Sequence, residues 1–582
     1  MMPRLPSSTP PPAGHLDQPA FLPMTRSEVE DLGWGQIDVL LVTGDAYVDH
    51  PACGPALLGR HLVDKGFRVG LVAQPDWRNP DSVTLLGRPR LFAGISAGAL
   101  DSMVAHYTAF RKKRSEDAYS PGGRAGSRPN RATIVYANLV RQAFAGLPLV
   151  LGGIEASLRR AVHYDFWTDK IRRSILLDAK ADLLIYGMAE KAIVATARRL
   201  AADPGASLEG IAGTVVVGNR ADLPAEARVV AWPSLEQIQA DPRQLMQATL
   251  AMEAQVHMAD HWAVQQSAGR TLIFAPPAPP LSTPELDRLW ALGYARRPHP
   301  CYADPIPAME VLAASITTHR GCGGGCAFCS LAMHQGRRVR SRSLDSILAE
   351  AAGLGDRPGF AGSISDVGGP SAGMWSARCR NPDPCRRPSC LFPKICPFFR
   401  VDHQANLEML RAVKQVPGIR HVRVASGLRF DLALQDPESL AALIAEFVGG
   451  QLKVAPEHVC DAVLKWMRKP GVRRFEEFVD FFKKASNQAG KAQFLVPYLL
   501  SAFPGTTDQD MVHLARWLSR RGWKPQQVQC FIPTPGTVAT AMYHAGIDPE
   551  GRRIAVAKSD AARLRQHGIL MAGKKEEGVF SR

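Results

Sequence analysis

The sequence predicts an α/β chain in two parts, a doubly wound, Rossmann-like N-terminal domain followed by a partial (β/α)6 barrel with a cysteine-rich insertion. Three features point there. Apolar runs of strand length alternate with helix-patterned segments from residue 37 onward, and six such repeats recur after about residue 308. The loop after the first of those six carries three closely spaced cysteines, at the end of the strand where α/β barrels place their chemistry. At 582 residues the chain is too long for one core. With 46% hydrophobic and 21% charged residues it is globular rather than disordered.

Residues 1–33 begin rich in Pro and Ser and lack the apolar centre of a signal peptide, so a disordered tail is expected. The N-terminal domain is placed at 34–300. Residues 37–43 (IDVLLVT) form a strand ending at Gly44-Asp45, 54–65 a helix and 68–73 a second strand, which together make a βαβ unit. Residues 91–95, 133–136, 149–151 and 182–186 read as further strands. Between them, Arg111-Lys-Lys-Arg114 and the Gly/Arg/Pro-rich run to Arg131 read as a mobile surface loop, with a nucleic-acid arm as the alternative. Residues 163–180 mix His, Tyr, Trp, Asp and Arg without amphipathic periodicity, which suits a polar pocket or a domain interface.

The barrel is placed at 301–548, with strands at 311–317, 362–367, 421–426, 451–455, 493–498 and 527–532. Helical patterns such as 407–414 and 509–520 separate them. The insertion occupies 376–400. Residues 549–582 form a basic tail, expected to be disordered and dispensable for chemistry.

Cys322, Cys326 and Cys329 supply three thiolates in a CxxxCxxC spacing, where an ordinary four-iron cluster takes four. One iron of such a cubane would lack a protein ligand. Gly321, Gly323, Gly324 and Gly325 let the loop wrap a cluster without side-chain clashes. Zinc prefers paired CxxC ligands and a fourth donor. A second group, Cys379, Cys385, Cys390 and Cys396, lies among Arg378, Arg380, Arg386, Arg387 and Lys394. Four thiolates there suit an auxiliary iron-sulfur cluster or a structural zinc, a metal-free loop being the alternative. The other four of the 11 cysteines, Cys53, Cys301, Cys460 and Cys530, are scattered and suggest no disulfide framework. Clustered thiols belong in a reducing compartment, so a cytoplasmic location is expected. No stretch reaches the length of a membrane span. The net charge of +16 favours an acidic partner, nucleic acid among them.

The three-cysteine loop resembles that of radical SAM enzymes. The resemblance implies that the open iron chelates S-adenosylmethionine, and that an electron from a flavodoxin- or ferredoxin-type donor cleaves it to a 5′-deoxyadenosyl radical. It also implies that Phe328 lies beside the adenine and that Gly368-Gly369-Pro370 stands for a Gly-Gly-Glu turn meeting the SAM amino group. Pro370 replaces the acidic residue, so only backbone contacts carry over. Ser426 and Arg429 fall where the family places ribose and carboxylate ligands, with Lys453 or Glu457 from the next strand. His458 reads as structural. Residues 503–506 and 531–537 resemble loops of methylthiotransferase-type members. The first domain is similar to the cobalamin-binding fold, with Val150-Leu-Gly-Gly-Ile-Glu155 at a Gly-Gly turn. The Asp-x-His-x-x-Gly signature is absent, because His50 follows Asp49 directly.

Together with Thr318-His-Arg-Gly-Cys322, Asp366-Val-Gly-Gly-Pro370 and Arg386-Arg-Pro-Ser-Cys390, these segments resemble the YgiQ family of radical SAM proteins over roughly residues 35–550. That implies the cluster and SAM and leaves the substrate open. The expected function is radical modification of an unknown substrate, RNA or a protein side chain. The alternatives are methyl or methylthio transfer, and a non-catalytic, metal-stabilised RNA-binding protein.

Overall fold

The computed structural model describes residues 16–381, 385–525 and 527–571. In the N-terminal domain, β1 (Val39–Thr43), β2 (Val69–Ala73), β3 (Phe92–Ser96), β4 (Leu149–Leu151) and β5 (Leu183–Ile185) are followed by β6 (Thr214–Val217), β7 (Val229–Trp232), β8 (Trp262–Ser267) and β9 (Arg270–Phe274). They form one sheet in the order β2-β1-β3-β4-β5-β6-β9-β8-β7. The first five are parallel, and β6 turns antiparallel to β5. Every residue of β1 is buried, as expected for a parallel strand covered on both faces. The strand order reverses between β1 and β3, the switch point at which doubly wound sheets ordinarily bind ligands.

Three expectations for this domain change. Residues 133–136 are not a strand but part of the helix Ala132–Ala143, whose buried Thr133, Tyr136, Ala137 and Val140 share one face. Helical spacing overrides the β-branched composition there. The strands β6–β9, unread in the sequence, widen the sheet from five strands to nine. The expected tail is ordered from residue 16 onward: Arg26–Asp31 is a helix with a Thr25/Glu28 capping box, and Leu22 and Val29 are fully buried against the sheet. Residues 1–15 lie outside the described residues.

Of the segment read as a mobile surface loop, residues 111–116 are exposed, but Asp117, Ser120 and Arg128 are built into the sheet's carboxyl edge. Arg128 is buried, donates to the Ala97 carbonyl at 3.0 Å and grips Asp117 through two nitrogens at 3.0 Å. Ser120 is fully buried and accepts from Gln74 at 2.7 Å. Asp45, at the end of β1, lies 2.9 Å from Arg128 Nη2 but out of line for a hydrogen bond. A side chain on Gly44 would overlap the Ala97 carbonyl, and one on Gly98 would overlap Asp45. The switch point is therefore filled by the chain itself.

The six barrel strands follow one another in parallel. Ser315–Thr317 pairs with Asp366–Gly368, and Ser363–Ile364 with His421–Val422. Bridges through Leu428 join Ala372 to Val454. Gln451–Glu457, Phe494–Ser501 and Gln527–Cys530 complete the set. The first strand is shorter than expected, because Met309–Leu312 is a helical turn and Val311 is exposed. On the outside, the helix Val472–Gln488 buries Phe475, Phe478, Val479 and Phe482 at helical spacing, each Phe contributing about 1.5–3 kcal/mol.

Residues 163–172 resolve in favour of the domain interface. They form the hairpin His163–Asp165/Lys170–Arg172, and Tyr164 and Phe166 pack on His544 and Tyr543 of the barrel helix Val538–Ala545. The tail after 548 is also ordered to residue 571. Asp560–Met571 is a helix lying against the last two barrel strands. From it, the fully buried Arg563 donates to the Phe531 carbonyl at 2.9 Å. Residues 572–582 lie outside the described residues.

Candidate active site at the three-cysteine loop

The loop from Gly321 to Ser330 leaves the first barrel strand and turns under Gly321 and Gly325, whose φ values of 84° and 59° favour glycine. The Gly324 amide lies 3.4 Å from Cys322 Sγ. A β-carbon on Gly324 would stand 3.3 Å from Cys322 Sγ, 3.7 Å from Cys326 Sγ and 3.2 Å from Arg429 Nη1. The glycine thus leaves a cradle with two of the three sulfurs at its edge. Burial raises the Cys322 thiol and pushes Cys329 up to about 12. A cation is needed to make both thiolates, and an iron cluster supplies it. The three cysteines fit a cubane at this place.

Around the loop, the resemblance-derived residues receive definite positions. Phe328 packs edge-on against Phe503, 6.2 Å between ring centroids, and the Lys469 ammonium lies 6.0 Å from its own ring. The Gly368 carbonyl accepts the Thr318 amide at 2.7 Å and its hydroxyl at 3.2 Å. Gly369 lies on the buried His319 ring, 2.6 Å from Cε1 to the place a β-carbon would occupy. Burial takes His319 down to about 4, so the ring is neutral.

Ser426 is held by Asp366, which accepts from its amide at 3.0 Å and its hydroxyl at 2.8 Å. Arg429 does not stand free as a carboxylate ligand. Asp431, two residues on, takes its Nε and Nη2 at 2.9 and 2.7 Å, and Nη1 is left 3.6 Å from Cys326 Sγ. Burial works against its charge, but Asp431 and the Cys326 sulfur outweigh it and hold the guanidinium protonated. Lys453 is exposed partway along its strand, whereas Glu457 pairs with Lys469 at 3.3 Å. His458 is buried, accepts the Cys460 amide at 3.0 Å and is taken down to about 4 by burial, a structural histidine.

Several residues at the site were not singled out in the sequence. Lys469 donates to the Ala455 carbonyl at 2.8 Å. Arg468 reaches Gly325 O at 3.3 Å and pairs with the N-terminal domain's Glu253 at 2.6 and 3.0 Å. The only sequence signal for these is a basic pair before Pro470. The cysteines of the insertion line a cavity of about 750 Å3 between the two domains, which the N-terminal domain walls with Gly187, Glu190 and Lys191. Among the described residues, no helix is long and apolar enough to cross a membrane.

Residues 21–315 match the family described as Radical SAM N-terminal, and residues 316–518 match the Radical SAM superfamily. Fold and site thus define a radical SAM enzyme, one that uses a [4Fe-4S] cluster and S-adenosylmethionine; this sets aside the non-catalytic alternative. The chain is 49% identical over 559 residues to a UPF0313 protein of Geobacter sulfurreducens, covering 95% of this chain and 92% of the relative. It is 46% identical over 554 residues to one from Bradyrhizobium diazoefficiens, covering 91% and 82%. The chain belongs to the UPF0313 family, which is the YgiQ family.

Among solved structures, it shares the fold of the radical S-adenosylmethionine methyltransferase TsrM from Kitasatospora setae. The TM-score is 0.51 at 13% identity, over 93% of this chain and 90% of that one. Another TsrM structure holds cobalamin. In this chain the switch-point crevice is filled by Arg128, Asp45 and Asp117. His50 is buried, with Nδ1 on the Ala52 amide and Nε2 3.0 Å from Arg296. These residues do not fit a corrin there.

Proposed function

We propose that this enzyme cleaves S-adenosylmethionine reductively and directs the 5′-deoxyadenosyl radical at an anionic substrate, with RNA favoured over a protein side chain. The reading is carried by the Gly324 cradle, where Cys322 and Cys326 converge beneath Arg429 at the carboxyl end of the barrel strands. When bound there, the cluster supplies the electron that breaks the sulfonium bond. The chain's own residues enclose the site: Arg429, fixed by Asp431, sets positive charge against the Cys326 sulfur, and Gly369 and His319 shape the floor beside strand two. The Glu253–Arg468 pair, bonded to the Gly325 carbonyl, ties the N-terminal domain to the cysteine loop.

The anionic substrate class is supported by the cavity's lining. Lys191, Arg320, Arg338, Arg340, Arg378 and Arg387 line it, while Glu190, the one acid among its described lining residues, is ion-paired to Arg320. Methyl transfer by a cobalamin route has less support, because the switch point is occupied by protein.

The test is anaerobic reconstitution with iron and sulfide, then measurement of 5′-deoxyadenosine from SAM and dithionite beside the C322A/C326A/C329A variant. Wild type alone should produce it. Stimulation by cell extract that RNase treatment abolishes and protease spares supports RNA. The opposite sensitivity overturns the substrate class, and no product from a cluster-loaded protein supplied with extract overturns the chemistry.

A further inference from the structure

The insertion's cysteines are gathered by the backbone. A short hairpin pairs Cys379 with Phe399, the Cys396 amide donates to the Cys390 carbonyl at 2.7 Å, and the Phe399 amide donates to the Cys396 carbonyl at 3.0 Å. With Cys385 they line one cavity. The group is docked on the first cysteine loop: the Cys390 amide donates to the Gly323 carbonyl at 2.9 Å and the Ser389 hydroxyl to the Gly324 carbonyl. The Phe399 ring lies 2.8 Å from where a Gly323 side chain would begin. Cys379 is exposed and Cys396 buried, so the group runs from the surface inward to the loop that carries Cys322.

An independent observation comes from Arg337. It lines the same cavity and is only 7% exposed, yet its Nε and Nη1 find no partner among the described residues. Buried guanidinium donors call for an anion. Four neutral thiols do not provide one, whereas metal-bound thiolates do.

Zinc would draw four sulfurs to about 2.3 Å from one point. Among the described residues no three His, Cys, Asp or Glu side chains converge on a single ion in that way. The same is true of the Cys322 loop, the site of the [4Fe-4S] cluster, so the second set is like the first in this respect. We propose that Cys379, Cys385, Cys390 and Cys396 hold a second [4Fe-4S] cluster, with Arg337 donating to its sulfurs, and that this cluster is the electron entry to the first. One electron leaves a reduced ferredoxin- or flavodoxin-type donor, reduces the second cluster and passes to the first, leaving the second oxidised again. No atom is transferred.

The test counts iron and sulfide in the anaerobically reconstituted full chain and records EPR of the reduced protein with and without SAM. Wild type should bind about eight irons and the C322A/C326A/C329A variant about four, with a signal in that variant that SAM leaves unchanged. A C379S/C390S variant should bind about four, with a signal that SAM alters. A cysteine-loop variant that is folded by circular dichroism but binds no iron, or that binds one zinc, overturns the proposal. Arg337→Gln lies outside both cysteine sets and serves where those variants misfold. It should keep both clusters and move the potential of the SAM-insensitive signal to more negative values; an unchanged potential overturns the role of Arg337. Iron counts do not depend on 5′-deoxyadenosine formation, so this proposal and the proposed function fail separately.

Discussion

Arg429 holds Asp431 with two of its nitrogens and leaves the third 3.6 Å from the sulfur of Cys326. Both charged partners are buried. Removing one leaves the other uncompensated, which costs about 3–5 kcal/mol. Arg429→Ala should therefore lower the denaturation midpoint sharply, and Arg429→Ala with Asp431→Asn should recover much of the loss. Equal midpoints for the single and double variants would show that the pair is not coupled.

Gly369→Ala would drive a methyl group into the His319 ring, at 2.6 Å from Cε1. Overpacking of this kind costs about 1–3 kcal/mol, and here it falls beside the cysteine loop. SAM binding, followed by calorimetry on the reconstituted protein, should weaken by about tenfold or more, the factor that 1.4 kcal/mol represents. Gly54→Ala, where nothing lies within 4 Å, is the control and should leave binding unchanged.

Asp45 is raised from 3.8 to about 6, chiefly by burial, with Arg128 pulling the other way. The folded chain therefore holds a proton that the unfolded chain has released. Any stability from the protonated form is fully present below pH 3.8 and is lost as pH rises through about 6, an effect of about 3 kcal/mol at most. Asp45→Asn should flatten the difference in stability between pH 4 and pH 7 relative to wild type. Parallel pH profiles for the two proteins would contradict it.

Glu253 shifts in the opposite sense. Burial opposes its charge, but His257 and Arg468 prevail and take it to about 2. Its contribution is present above pH 4.5 and is lost as pH falls toward 2. Arg468→Ala should cost about 3–5 kcal/mol at neutral pH. Because Arg468 also holds the Gly325 carbonyl, iron retention during gel filtration should fall with it. Retention equal to wild type would separate domain docking from the cysteine loop.

Much of this was legible in the residues. The CxxxCxxC spacing with its glycines marked the site, and the apolar run of β1 marked the sheet, because both signals are local. What escaped was decided by distant partners. The run 133–136 looks like a strand until Thr133, Tyr136 and Val140 are seen on one helical face. The 111–131 segment is rich in Gly, Arg and Pro, and only the meeting of Arg128 with Asp117 and Asp45 across the sheet edge shows that part of it is core. Arg429 was assigned by its position at a strand end, but the carboxylate two residues on had already claimed its fork. Lys469 and Arg468 carried no motif, since what they meet, Glu457 and Glu253, lies elsewhere in the chain.

The helix Asp560–Met571 has a consequence for how this protein can be handled. Gln527–Cys530 is the last strand of an unclosed barrel, and the helix lies against it and its neighbour. Unpaired strand edges recruit other chains. A version shortened to the end of the barrel would uncover the two strands this helix packs on, together with the pocket Arg563 fills, and it would aggregate on expression even with every cysteine in place.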